Sequence, residues 1–339
     1  MIVQSYRLVS PKQIRTDFIN LPINKNNVLV RPTYLSICAA DQRYYQGRRD
    51  PVVLAKKLPM ALIHEAVGVI VFDPSGEFKP GDKVVMIPNT PIETDNVIKE
   101  NYLRSSLFRS SGYDGFMQGI VDIERSRVIK YEKIENRIAV LLELISVAMN
   151  ALEHFESYSH LKKQTLGVWG DGSVGYVTAL VLKKTFPNAK VVVFGNRYEK
   201  LHYFQFADEI YQVGNVPADV KVDHAFECVG GIKSEVAINQ IIDIINPQGS
   251  IALMGVSENN VPINTRMVLE KGLTLLGNSR SSYEDFYASI RFIEDNDDVP
   301  GYLNSIISDE INVNSIKDIH SAFEKDLSND FKTIMKWNL

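Results

Sequence analysis

The chain has 339 residues, 45% of them hydrophobic and 23% charged, with a formal net charge of −4 and two cysteines. That length suggests about two domains with ample material for their cores. The weak negative charge excludes the basic field that routine nucleic-acid binding needs, no apolar run reaches the ~18 residues of a spanning helix, and two distant cysteines make no disulfide framework. The opening MIVQSYRLVSPKQ carries no signal-peptide pattern, so the expectation is a soluble cytoplasmic protein without membrane or nucleic-acid partner.

From residue 1 to about 140 the sequence predicts short β segments: NVLVRP, AVGVIVFD, GDKVVMIP and GFMQGIVDI. FDPSGEFKPGDKV supplies the Gly, Pro and Asp of tight turns between them. Cys38 ends the strand-like run NVLVRPTYLSI and is followed by Asp41, Arg43, Arg48 and Arg49. LPMALIHEAVGVIV places His64 and Glu65 ahead of Gly68 and a strand. IAVLLELISVAMNALEHFESY is long, apolar and unbroken, which predicts a helix with Glu143 isolated inside it. Then short apolar strands alternate with helices, from TLGVWG through KVVVFG, HAFECVG and GSIALMGV to LTLLGNS, the pattern of a parallel sheet with crossovers. After about residue 280 the chain reads as helical again and closes on a short apolar segment, FKTIMKWNL.

TLGVWGDGSVGYVTALVLKK holds G-x-G-x-x-G at Gly170, Gly172 and Gly175. It follows a strand and opens a helix, the context in which the motif binds a dinucleotide. The first glycine permits the turn, the second lets the backbone approach a pyrophosphate, and the third allows close helix–strand packing. Ser173 and Val174 begin the helix, whose free N–H groups suit phosphate. A ligand-free glycine turn is the plainer alternative, and Asp171 reads as solvated. The next strand ends in Gly195, Asn196 and Arg197, with Lys200 one turn on, where an NAD site carries Asp or Glu for the ribose 2′-hydroxyl. A small residue followed by arginine leaves room for a 2′-phosphate and neutralises it, so NADPH is the expected cofactor. The alternative makes Arg197 and Lys200 a solvated helix start.

Cys38, His64, Glu65 and Glu143 could together hold zinc, as thiolate, imidazole and carboxylate donors. Their separations are long and spacing alone does not decide. Taken singly, Cys38 reads as a small buried hydrophobe, His64 as a hydrogen-bonded core histidine and Glu143 as the partner of a core arginine.

The stretches LSICAADQRYYQG, LIHEAVGVI, FKPGDKVVMIP, GYDGFMQ, ELISVAMNAL and GVWGDGSVGYVTA occur in this order over essentially the whole chain. They resemble the medium-chain zinc-dependent alcohol and polyol dehydrogenases. The resemblance implies an α/β protein: a GroES-like β-rich catalytic domain, residues 1–142 and 281–339, and a Rossmann doubly wound parallel-sheet domain, residues 143–280. It also implies that Cys38, His64 and Glu65 bind a catalytic zinc, with Glu143 a further ligand or near neighbour. MIPNTP, ENYLRSS, FRSSGYDGFMQ, HAFECVGG and NTRMVLEKGLTLLGNSRS are similar to the ribulose-5-phosphate reductase branch. That branch reduces ribulose 5-phosphate to ribitol 5-phosphate for CDP-ribitol and teichoic-acid synthesis. The resemblance implies a homodimer through edge strands of the nucleotide domains, with GSIALMGVSENNVPIN the candidate edge, and a cytidylyltransferase as a possible partner.

Two departures from the wider family stand out. Residues 86–112, where many members carry a four-cysteine lobe, contain no cysteine, and only Cys228 remains besides Cys38, so one catalytic and no structural zinc is expected. Two residues after the zinc cysteine, where the family commonly places a relay hydroxyl, stands Ala40, so the proton must come from water, Glu65 or Tyr44. A sugar phosphate needs cations, and Arg43, Arg104 and Arg109 are the candidates, the last two in Arg-Ser-Ser repeats. The competing readings are an NAD-dependent zinc polyol dehydrogenase acting on an unphosphorylated sugar alcohol, and a non-catalytic NADPH-binding protein.

Overall fold

The computed structural model describes all 339 residues, which fold as two compact units, 1–143 with 281–339, and 144–280. Glu143 thus lies at the last position of the first segment rather than at the start of the nucleotide unit.

In the first unit the β-rich reading is realised as a mixed seven-stranded sheet. Its central strand, Asn27–Ser36, pairs antiparallel with Glu65–Phe72, with Val121–Glu124 and with Lys332–Trp337. β-branched residues fill Glu65–Phe72, where they pack well on a pleated surface. Gly68 is required there, because a Cβ would stand 2.4 Å from the Arg31 carbonyl oxygen of the neighbouring strand. A hairpin, Ile2–Ser10 with Gln13–Asn20, packs beside this sheet, and the core includes Leu8, Val30, Leu35, Met60, Phe116 and Phe323. Two features escape the sequence reading. Cys38 is the N-cap of a short helix, Ala39–Tyr45. The region after 280 contains a strand, Ile307–Val313, between its helices, paired parallel with Lys332–Trp337.

The second unit is a six-stranded parallel sheet built from Thr165–Trp169, Lys190–Gly195, Glu209–Gln212, His224–Glu227, Ser250–Leu253 and Thr274–Gly277. Numbered along the chain, their order across the sheet is 3-2-1-4-5-6, the doubly wound arrangement. Trp169, Phe194, Ile241 and Ile251 form its apolar core. Ser250–Leu253 is hydrogen-bonded on both sides, so GSIALMGVSENNVPIN is not an edge. The free edges are Glu209–Gln212 and Thr274–Gly277. No helix is long and apolar enough to cross a membrane.

Candidate active site

The metal cluster is assembled around one turn. Ile63, a β-branched residue, has φ of 72° immediately before His64, a backbone region costing about 1–3 kcal/mol for such a side chain. The segment 115–117 holds it there. Phe116 N–H donates to the Ile63 carbonyl at 2.8 Å and Gly115 N–H to the Ala61 carbonyl at 2.7 Å. A Cβ on Gly115 would meet the Ile63 oxygen at 2.3 Å, which is the physical reason for the glycine in GYDGFMQ. Asp114 of the same stretch accepts from Ala61 N–H at 2.8 Å and pairs with Arg7.

His64 and Glu65, at the start of their strand, meet Cys38, at the start of its helix. One ligand atom from each of the three lies within 4.8 Å of the others. Asp41, fully buried, ties them together. Its Oδ1 accepts from Ile63 N–H at 3.0 Å and Ser110 Oγ at 2.7 Å. Its Oδ2 accepts from Cys38 N–H at 3.2 Å and lies 3.6 Å from His64 Nδ1. Nδ1 faces Asp41, which leaves Nε2 for a metal. Burial alone would raise the Asp41 carboxyl, but the charge of His64 and the hydrogen bonds from His64, Ser110 and Ile63 hold it below the usual carboxylate range.

Lys332 is the side chain the sequence reading missed. It is buried, and donates to Glu65 Oε1 at 2.7 Å and to the Ile37 carbonyl at 2.9 Å. Burial works against its charge, but Glu65 and Cys38 raise its pKa above the ordinary lysine value. The other Glu65 oxygen, Oε2, is buried without a hydrogen-bond partner. Such an orphaned carboxylate oxygen is costly, and it sits in a cluster that also offers a thiolate and an imidazole. The three residues therefore fit a zinc ion. Glu143 is buried nearby but is not among those three. Burial is the main cause that pushes its carboxyl up to about 7, with His64 and Lys332 opposing and Glu65 and Asp41 adding to the rise.

The other residues singled out from the sequence divide. Tyr44 is 2% exposed, and its hydroxyl accepts from Lys57 Nζ at 3.2 Å. Arg43 is half-buried on the same helix and Arg104 is exposed. Arg109 must be removed from the phosphate set. It is buried, donates to the Asp114 and Asp122 carbonyls at 3.2 and 2.7 Å, and lies over the Tyr113 and Phe116 rings. Its charge pins the turn instead. The serines of the two repeats are also largely committed: Ser105 to Glu93, Ser106 to the Glu100 carbonyl, and Ser110 to Asp41.

In the second unit the glycine turn matches its motif atom by atom. Gly170 has φ of 135°, and a Cβ on Gly175 would stand 2.0 Å from the Gly170 oxygen. Gly172, the N-cap of Ser173–Thr185, has nothing within 4 Å of its Cβ position. That open space above a helix N-terminus, where Ser173 and Val174 begin the helix, fits a pyrophosphate. Asp171 is not merely solvated: its Oδ2 accepts from the N–H groups of Asn196 and Arg197 at 2.8 and 2.7 Å. It thereby fixes the tip of the second strand. Asn196 and Arg197 are exposed there, while Lys200 is buried. Cys228 packs against Thr178 and Met254, with burial raising its thiol far above the ordinary range.

With this geometry in place, comparison with known proteins gives a consistent answer. A model of the zinc-binding dehydrogenases matches residues 188–295 and one of the alcohol dehydrogenase GroES-like domain matches 24–133. Ribulose-5-phosphate reductase 2 of Staphylococcus aureus is 52% identical over the full length of both chains. The chain belongs to the medium-chain zinc-dependent alcohol dehydrogenase family. The ribulose-5-phosphate reductase of Bacillus spizizenii is 50% identical, again over 100% of both chains. The crystal structure of S. aureus TarJ in complex with NADPH superposes with a TM-score of 0.90 at 44% identity, covering 100% of each chain. The GroES-like and Rossmann units of this dehydrogenase are thus the architecture of its family, and its Cys38–His64–Glu65 cluster is one metal site.

Proposed function

We propose that the chain reduces ribulose 5-phosphate to ribitol 5-phosphate with NADPH, with one zinc ion held by Cys38, His64 and Glu65. The orphaned Glu65 Oε2 inside a thiolate–imidazole cluster carries the metal assignment. The substrate and cofactor rest on full-length relatives at 50–52% identity that are ribulose-5-phosphate reductases, and on the NADPH-bound structure at 44%. When bound, zinc supplies Lewis acidity to a ketone oxygen and NADPH supplies the hydride.

The residues of this chain have definable tasks. Asp41 holds His64 in the tautomer that leaves Nε2 unprotonated. Lys332 occupies one oxygen of Glu65, so the carboxylate offers the metal the other. The helix beginning at Ser173 presents free N–H groups to the pyrophosphate beside the open face of Gly172. Arg197, exposed at the strand tip, pairs with a 2′-phosphate where an NAD site would place a carboxylate. Glu143 acts as an electrostatic neighbour of the cluster. Ala40 has no hydroxyl to relay a proton, so solvent delivers it to the product alkoxide.

In this reading ribitol 5-phosphate passes to a cytidylyltransferase, and the enzyme is a homodimer paired through the free edge at Thr274–Gly277. Steady-state assay of the zinc-loaded protein against ribulose 5-phosphate and ribulose, each with NADPH and NADH, tests the reading. It predicts a kcat/KM for ribulose 5-phosphate with NADPH at least tenfold above every other combination. Equal rates on both sugars, or a preference for NADH, favour the polyol dehydrogenase instead.

A further inference from the structure

Arg109 is bonded to backbone carbonyls and three of the four repeat serines are engaged elsewhere, which leaves a lysine as the cation beside the fourth. Lys57, in the last turn of the helix Pro51–Lys57, donates to Tyr44 Oη at 3.2 Å and to Ser111 Oγ at 3.1 Å. Both oxygens act as acceptors in those bonds. The hydrogens of the Tyr44 and Ser111 hydroxyls, and the third ammonium hydrogen, therefore have no acceptor in the protein. Lys57 has no carboxylate partner, and Arg49 places a second cation 4.8 Å over the Tyr44 ring. Tyr44 is 98% buried by its 2% exposure, so its hydroxyl is not a casual surface group. The three hydrogens on Lys57, Tyr44 and Ser111, with a cation at their centre and no acceptor among them, make a constellation that an anion completes.

Its place in the fold ties it to the metal cluster. Tyr44 lies on the helix that begins at Cys38, and six residues of helix advance about 9 Å. Ser111 adjoins Ser110, whose hydroxyl donates to the same Asp41 oxygen that takes Ile63 N–H. Consecutive Cα atoms are about 3.8 Å apart, and the phosphorus of an open-chain ketose 5-phosphate stands roughly 6 Å from its carbonyl carbon. The cluster therefore sits on the helix that begins at a metal ligand and beside the serine bonded to Asp41, within the reach of one small phosphorylated substrate.

We propose that Lys57, Tyr44 and Ser111 form the subsite for the substrate's phosphate. This rests on the reading of the enzyme as a sugar-phosphate reductase and names the side chains that give it that specificity. Tyr44 therefore donates a hydrogen bond to the phosphate rather than a proton to the product oxygen.

The test compares wild type with Lys57→Met, Lys57→Arg and Ser111→Ala, each checked for zinc content and melting temperature. The readout is the ratio of kcat/KM for ribulose 5-phosphate to that for ribulose, together with competitive inhibition by inorganic phosphate. Lys57→Met should lower the ratio at least tenfold and weaken phosphate inhibition in parallel, Ser111→Ala should lower both by a smaller factor, and Lys57→Arg should restore part of each. A wild type that prefers ribulose 5-phosphate while Lys57→Met, still folded and zinc-loaded, keeps the full ratio overturns the subsite alone. A wild type with no preference between the sugars overturns the sugar-phosphate reading itself.

Discussion

Replacing Asp41 by Asn keeps the size of the side chain and removes one acceptor oxygen and the charge. The buried carboxylate serves Ile63 N–H and Ser110 through Oδ1, and Cys38 N–H and His64 Nδ1 through Oδ2. An amide can satisfy only one of these pairs. With its NH2 toward Ile63 it leaves a buried backbone donor unpaired, at about 1–3 kcal/mol. With its NH2 toward His64 it strands Cys38 N–H and favours an imidazole whose Nδ1 accepts. The proton then sits on Nε2, the nitrogen the metal needs. Either orientation removes the negative charge that raises the basicity of the ligand imidazole, and the second also removes its acceptor, so zinc affinity falls by about 10–100-fold. Competition with a chromogenic chelator measures that affinity, and urea unfolding of the metal-free protein measures the stability loss. Unchanged zinc affinity in Asp41→Asn would refute the assignment of Asp41 as the group that orients His64.

Lys332→Met should destabilise the metal-free protein by about 3–5 kcal/mol, because it strands the buried Glu65 carboxylate. The loss should be smaller with zinc bound, since a cation then compensates the same charge; equal losses by urea unfolding in both forms would contradict the shared role. Gly172→Val should leave the melting temperature of the cofactor-free protein close to wild type, its Cβ meeting nothing, yet weaken NADPH at least tenfold by fluorescence titration. Gly175→Val, aimed at the Gly170 oxygen, should instead fail to fold stably. His224 is fixed as the neutral tautomer, donating through Nε2 to the Lys162 carbonyl and accepting Ser250 N–H at Nδ1. Burial, with His160 and Lys163 nearby, lowers its pKa to about 4, below the ~6.5 of a free histidine. The unfolded chain takes up the proton first on acidification, so this contribution is present above about pH 6.5 and lost as pH falls toward 4. Urea unfolding across that window should show a flatter pH dependence in His224→Gln than in wild type, and parallel curves would rule the contribution out.

The legible parts of this chain were those where chemistry is local. Gly170, Gly172 and Gly175 sit in one turn, and their three different steric needs follow from a strand before and a helix after. The strand–helix alternation after residue 160 likewise dictates a parallel sheet. The metal cluster became visible only as a set of stretches in family order, because Cys38 and His64 lie on separate elements that tertiary folding brings together. Lys332 left no local signal. Lys336, four residues on and in the same strand phase, is exposed, and only the partner Glu65 distinguishes them. Arg109 misled for the opposite reason: composition shows a cation beside serines, but not that the Asp114 and Asp122 carbonyls take its hydrogens. The edge strand is not legible either, because hydrophobicity marks Ser250–Leu253 as a strand without saying whether one or both of its sides are paired.

The most direct test of the account follows the hydride itself. The zinc-loaded enzyme is incubated with ribulose 5-phosphate and NADPH carrying deuterium at the transferred position, and the product is analysed by mass spectrometry with fragmentation. The account predicts ribitol 5-phosphate labelled at C2, formed by the wild type and lost both on chelation and in Cys38→Ser with the fold retained. Full labelling by the metal-free protein, or no labelled pentitol phosphate from the zinc-loaded wild type, would contradict it.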